Sequence, residues 1–209
     1  MARPAKRQYD SSLRAVAAEG TRRGIMESSR VLFSKRGIDR VTIAQIAAKA
    51  GVAASTVYAL FKSKEGILRA LMESSLFGPR FREAVALLDG ISDPVEAIAR
   101  TASISRAIYE SESDEVGLLR GASGFSPALR RLEEEFETRR YQMQEARLRM
   151  LASRARLKDG LTFEEARRIM WMYTSRDVYR MLVQEGGWTP ARYEAWLSGT
   201  LVASLVKPK

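Results

Sequence analysis

The side chains best placed to do chemistry fall between Thr42 and Lys64. Ala53, Ala54, Ser55 and Thr56 are followed by Tyr58, Lys62 and Lys64. Ser55 can hydrogen-bond a base or a phosphate, and an alanine or the Thr56 methyl can touch a thymine methyl. Thr42 can offer a hydroxyl and a backbone N–H to a phosphate, helped by the dipole of the helix it opens. This is the chemistry of binding. Chemistry of turnover is not visible: the chain has neither cysteine nor histidine. That excludes thiolate nucleophiles, disulfides and cysteine–metal centres, and removes the commonest general base. We find no nucleophile–base pair, no glycine-rich phosphate loop and no metal-ligand set. The carboxylate runs Glu133-Glu134-Glu135 and Glu164-Glu165 read as solvated helix faces. No catalytic residue, cofactor or metal is expected.

The elements that must position these side chains are two short helices. Ile43, Ile46, Ala47 and Ala50 recur at helical spacing, with Thr42 as N-cap and Gly51 as exit. A second helix follows over about residues 54–61, with Val57 and Phe61 facing inward. Two short helices joined by a tight glycine-containing turn are the sequence form of a helix-turn-helix, whose second helix enters the major groove. The bland alternative is an ordinary helical hairpin with solvated outer residues.

The segment 21–68 resembles the DNA-binding domain of the TetR family of transcriptional regulators. The landmarks are Ile25, Leu32-Phe33, Gly37, Val41-Thr42, Ile46-Ala47, Ala50-Gly51-Val52, Thr56-Val57-Tyr58, Phe61 and Ser63-Lys64-Glu65. Leu60 departs from the usual Tyr or His, and Ala53-Ala54 from a frequent polar residue. The resemblance implies that Thr56 and Tyr58 bind phosphates and that Lys64 clamps the backbone. Tyr58 could instead pack inward, but Phe61 is the better core residue. Arg22 and Arg23 could also reach phosphate. The candidate DNA-binding set is Arg22, Arg23, Thr42, Ala53, Ala54, Ser55, Thr56, Tyr58, Lys62 and Lys64.

Charge supports this placement. Residues 1–64 hold 13 Lys+Arg and 4 Asp+Glu, a net of +9, out of a total of +10 (35 − 25). A basic patch confined to one segment is what phosphate neutralisation requires. The N-terminus is basic without the apolar core of a signal peptide, and no stretch has the length of a membrane span. A cytoplasmic protein with no membrane partner is expected.

The fold class predicted is all-α: a three-helix helix-turn-helix domain followed by a larger helical domain for effector binding and dimerisation. Residues 1–20 read as a basic flexible arm that lies along DNA, or as a solvated tail. Helix one runs from Thr21, or from as far back as Ser11, to Lys35, and a boundary falls at Gly78-Pro79. Further helices are expected over about 80–88, 92–109, 112–120, 126–157, 162–184 and 189–205. The long helix over 126–157 is apolar on two sides and therefore central. Arg139 falls inside one of its stripes, either snorkelling to the surface or anchoring a ligand.

The leading expectation is a homodimeric repressor that reads a near-palindromic operator in double-stranded DNA. By resemblance, a small-molecule effector in the larger domain releases it. Candidate cavity residues are Tyr109, Phe125, Phe136, Arg139, Met143 and Trp171. The last two helices either close a monomer core or form the dimer interface, with Tyr193, Trp196, Leu197, Leu201 and Leu205 as candidates. The alternatives are an activator with the same fold, or a non-specific DNA-binding or interaction protein without an effector.

Overall fold

A computed structural model describes residues 11–110 and 127–208. The described residues are helical throughout, apart from turns and one isolated antiparallel bridge between Leu157 and Val206. The chain divides into two compact units, Met1–Leu71 and Met72–Lys209. The expected boundary at Gly78-Pro79 lies inside the second of these. The physical reason is Phe77, whose ring packs edge-on to Phe81 at 5.1 Å and stacks on Phe136 at 5.7 Å.

The first unit is built on α1 (Ser11–Arg36), α2 (Ile43–Ala50), α3 (Ala54–Phe61) and the start of α4 (Lys64–Leu76). Residues 11–20 belong to α1, which takes the earlier of the two starts expected for helix one and shortens the arm accordingly. Ala15, Ala17 and Ala18 favour helix here, and no proline falls between Pro4 and Pro79 to stop it. Residues 1–10 lie outside the described residues. Ile25 and Phe33 bury the inner face of α1, and the N–H of Gly37 (φ 75°) donates to the Phe33 carbonyl at 2.8 Å, ending the helix. Ile43, Ile46, Ala47, Val57 and Phe61 complete the core.

The second unit contains α5 (Pro79–Ala86), α6 (Pro94–Ala99), α7 (Thr101–Glu110), α8 (Pro127–Met143), α9 (Glu145–Ser153), α10 (Phe163–Tyr173), α11 (Arg176–Tyr179) and α12 (Pro190–Leu205). A stretch of π-helix over Arg180–Glu185 follows α11. The helix expected over 112–120 lies outside the described residues. Three helices expected to be continuous are interrupted. Residues 92–109 bend at Arg100. Residues 126–157 break at Gln144 and end at Ser153. Residues 162–184 break at Thr174-Ser175, where the Ser175 hydroxyl caps α11. None of these breaks coincides with a glycine or proline, so periodicity runs through them unmarked.

The centre of this unit is α12, which packs on α6, α7 and α10. Tyr193, Leu197, Leu201 and Leu205 are fully buried within the chain itself. Four of the five residues expected at a dimer interface are therefore core: a side chain with no exposed surface has none left to bury against a partner. Trp196 is half-buried, its ring packed edge-on to Tyr173 and Trp188. The Tyr193 hydroxyl shares a hydrogen bond of 2.9 Å with Ser105 on α7, and burial pushes its phenol well above the ordinary range. Arg106 ties the same two helices by donating to Glu194 at 3.1 Å, and also donates to Glu110 at 2.8 Å. Backbone bonds from Lys158 N–H to Leu205 and from Lys207 N–H to Arg156 pin the C-terminal segment.

Candidate nucleic-acid interface and ligand cavity

The orientation of α3 is set by its two ends. Upstream, Thr42 forms a full capping box: its hydroxyl accepts from Gln45 N–H at 3.2 Å, and its own N–H donates to Gln45 Oε1 at 3.0 Å. Gly51 (φ 68°) closes α2 in the left-handed region, and α3 leaves it after a turn of 108°. That lies within the range of about 90–120° for a helix-turn-helix. Downstream, Lys62 (φ 65°, ψ −39°) makes a γ-turn in which Ser63 N–H donates to the Phe61 carbonyl at 2.8 Å. The chain then passes so close to α3 that a Cβ at Gly66 would lie 1.9 Å from the Phe61 oxygen. The residue at position 66 must be glycine for this reason.

These constraints present one outer face. Ala53, Ala54 and Ser55 are exposed at the start of α3, Thr56 is half-buried, and Tyr58 is 53% exposed. Tyr58 thus points outward, as expected. A shallow groove lined by Ala18, Thr21, Ser55, Thr56, Ala59 and Leu60 runs between α1 and α3. Thr42 is exposed, but its N–H is consumed by the capping box, which leaves only its hydroxyl proton to offer. Arg23 is exposed, and Arg22 lies with its guanidinium 4.7 Å from the Phe61 ring centre. Lys62 is exposed. Lys64 is placed differently: its ammonium donates to the carbonyls of Ile38 at 2.9 Å and Asp39 at 3.4 Å, bracing the turn before α2.

Residues 25–71 match the family model for bacterial regulatory proteins of the tetR family. Over this segment the chain is similar to the DNA-binding domain of the TetR family. Over 57 residues it is 40% identical to the HTH-type transcriptional regulator TtgR of Pseudomonas putida. That match spans 27% of this chain and 27% of TtgR, about a quarter of each. A transcriptional regulator from Saccharomonospora viridis, solved in complex with choline, is 22% identical, with a TM-score of 0.64 over 91% of this chain and 100% of that one. NalD, the secondary repressor of the MexAB-OprM multidrug efflux pump in Pseudomonas aeruginosa, is 21% identical, with a TM-score of 0.68 over 92% of this chain and 100% of NalD. At these identities the structural likeness speaks for the fold: a TetR-like all-α chain with an N-terminal helix-turn-helix.

The larger unit encloses a cavity between the end of α4 and α5, α7, α8 and α9, with Thr174 at one edge. The space between its walls is about 530 Å³, open mouth included. Tyr109, Phe136 and Met143 line it, as expected from sequence. Arg139 does not: it is exposed, its guanidinium 4.2 Å from the Phe77 ring centre. The buried arginine is its neighbour Arg140, which reaches Glu137, Thr174 and the Trp171 carbonyl. Trp171 lies behind that arginine, 5.2 Å from its guanidinium, and is not part of the lining. Phe125 lies outside the described residues.

Sequence reasoning missed Phe77, Phe81, Arg140, Gln144 and Arg147 in the lining. One signal was available. Glu137, Arg140, Gln144 and Arg147 recur at helical spacing and form a polar stripe along an otherwise apolar face.

Proposed function

We propose that this chain is a cytoplasmic, homodimeric transcriptional repressor that is released from its operator by a small molecule bound in the larger unit. The observation that carries the DNA-binding part is the exposed start of α3 within a segment whose net charge is +9 (13 − 4, residues 1–64). Ser55, Ala53, Ala54 and the Thr56 methyl meet base edges. Tyr58, Lys62, Arg22, Arg23 and the Thr42 hydroxyl meet phosphates. Lys64 supports the turn beneath them. Two copies place two recognition helices in successive major grooves, about 34 Å apart.

The dimer face is the side of α12 opposite its core stripe. Ala195, Gly199 and Ala203 are exposed there at i, i+4 and i+8, small enough for a second helix to approach closely. The cavity supports effector control, and the choline complex of the Saccharomonospora viridis protein supports a ligand in a chain of this fold. For release, the ligand must bind the DNA-incompetent form more tightly, because equal affinity shifts nothing.

The test is fluorescence anisotropy with the DNA flanking the chain's own gene against a scrambled duplex, at two salt concentrations. The reading predicts selective binding that weakens steeply with salt. Equal affinity for both duplexes, and for a panel of random sites, overturns it in favour of a non-specific DNA-binding protein.

A further inference from the structure

The cavity has two chemically distinct sides. Phe77, Phe81, Ile104, Ile108 and Phe136 make one side apolar, while the stripe Glu137, Arg140, Gln144 and Arg147 makes the other polar. Within that stripe the first two charges cancel. Arg140 donates through Nε and Nη2 to Glu137 at 3.1 and 2.5 Å, and through Nη1 to the Trp171 carbonyl and the Thr174 hydroxyl, both at 2.8 Å.

The other two residues are unfinished. The Thr174 hydroxyl has one proton, which goes to the Met170 carbonyl at 2.8 Å, so it can only accept from Arg140 and from Gln144. The amide nitrogen of Gln144 must therefore be the end that faces Thr174, at 2.7 Å. Its Oε1 is left buried without a donor, and the Nε of Arg147, three residues on, is buried without an acceptor. Among the described residues no carboxylate pairs with Arg147. Burial alone lowers its pKa to about 10, which still leaves it protonated at neutral pH. The lining thus holds one uncancelled positive charge and one free acceptor on the same helical face. Arg147 is half-buried, with its Nε sealed from water, and such a group is costly unless something else completes it.

We propose that the cavity takes a small amphipathic organic anion, a monocarboxylate with an aromatic or alkyl body. Its carboxylate pairs with the Arg147 guanidinium. Its body packs against the phenylalanine side, and Gln144 Oε1 accepts from a hydroxyl or amide N–H beside the acid group. The inference rests on the reading of this cavity as the effector site. It sets this chain apart from a choline-type ligand, because a quaternary ammonium would meet Arg147 with the wrong sign and find Glu137 already neutralised.

Calorimetry on the full chain tests it with three probes that share one body: 4-phenylbutyrate, 4-phenylbutyramide and 4-phenylbutylamine. The acid should bind at least about tenfold more tightly than the amide or the amine. Arg147→Met should erase that preference, and Arg147→Lys should keep part of it. Gln144→Glu, which supplies an internal carboxylate one turn from Arg147, should block the acid. Without ligand, Arg147→Met should melt at the same temperature as the native chain or higher, so loss of folding is not the explanation. Equal affinity for acid and amine, unchanged acid binding in Arg147→Met, or no binding of any probe at millimolar concentration overturns the proposal. Adding operator DNA separates the two readings. Acid that binds without releasing DNA leaves the anion site and removes effector control. Release by the amine but not by the acid does the reverse.

Discussion

Replacing Lys64 with alanine separates two roles that look alike in sequence. The resemblance assigns this ammonium to the DNA backbone, while the structure points it at the carbonyls of Ile38 and Asp39. Hydrogen bonds from a charged donor contribute about 1.5–3 kcal/mol when shielded from water. Lys64 is half-buried and its second contact is long at 3.4 Å. Solvent screening then leaves about 1–2 kcal/mol for the pair together. With a denaturant slope of about 2 kcal/mol per molar, the urea midpoint of the N-terminal unit should fall by about 0.5–1 M. A phosphate contact predicts something else. Stability would be unchanged, and the slope of log K against log salt would shrink by about 0.9 for the one phosphate lost. Urea titration by circular dichroism and a salt series by anisotropy read the two quantities on the same protein. An unchanged midpoint with a shallower salt slope would refute the internal role. A lower midpoint with an unchanged slope supports it.

The same geometry sets other expected outcomes. Tyr58→Ala should weaken all duplexes about equally, whereas Ser55→Ala should alter base preference at one position per half-site in a site-selection profile. Gly66→Ala should unfold the helix-turn-helix or cost at least about 2–3 kcal/mol, because its Cβ would meet a backbone oxygen that no side-chain rotation can clear; a native thermal midpoint would contradict this. Gly199→Arg should yield folded monomers by sedimentation, while Leu201→Asn should lower the thermal midpoint before it changes oligomeric state. Glu165 has its pKa lowered by hydrogen bonds from the Thr162 backbone and hydroxyl. A carboxylate held below its unfolded value stabilises α10 above that unfolded value, and the benefit fades as pH falls through the folded one. Glu165→Gln should therefore differ from the native chain in thermal midpoint at neutral pH and converge with it in acid.

The helix-turn-helix was legible because its determinants are local. Thr42 finds its partner Gln45 three residues on. Gly51 adopts the left-handed exit that glycine allows, and Val57 and Phe61 fall on one face by periodicity alone. The capping box of Thr162 and Glu165 was legible for the same reason. The polar side of the cavity was legible only in outline. Gln144, Thr174 and Arg140 form one network across two helices, 30 or more residues apart in sequence. The helix breaks at Gln144 and Thr174 coincide with that network, so periodicity on either side could not reveal them.

Sequence alone was therefore enough for the class of the fold: all-α, with a basic helix-turn-helix like that of the TetR family. Those properties depend on neighbours within a few positions and on summed charge. Which of two adjacent arginines enters the cavity had to come from the packed chain. So did the inward turn of Lys64 and the burial of the apolar stripe of α12. Each of these depends on which surface the helix meets, and a periodic sequence offers more than one face to bury. Packing of α12 against α6, α7 and α10 takes the stripe of Tyr193, Leu197, Leu201 and Leu205 and leaves the small residues outside. The rotation of α8 that buries Phe136 at the cavity carries Arg140 in with it and turns Arg139 out to solvent.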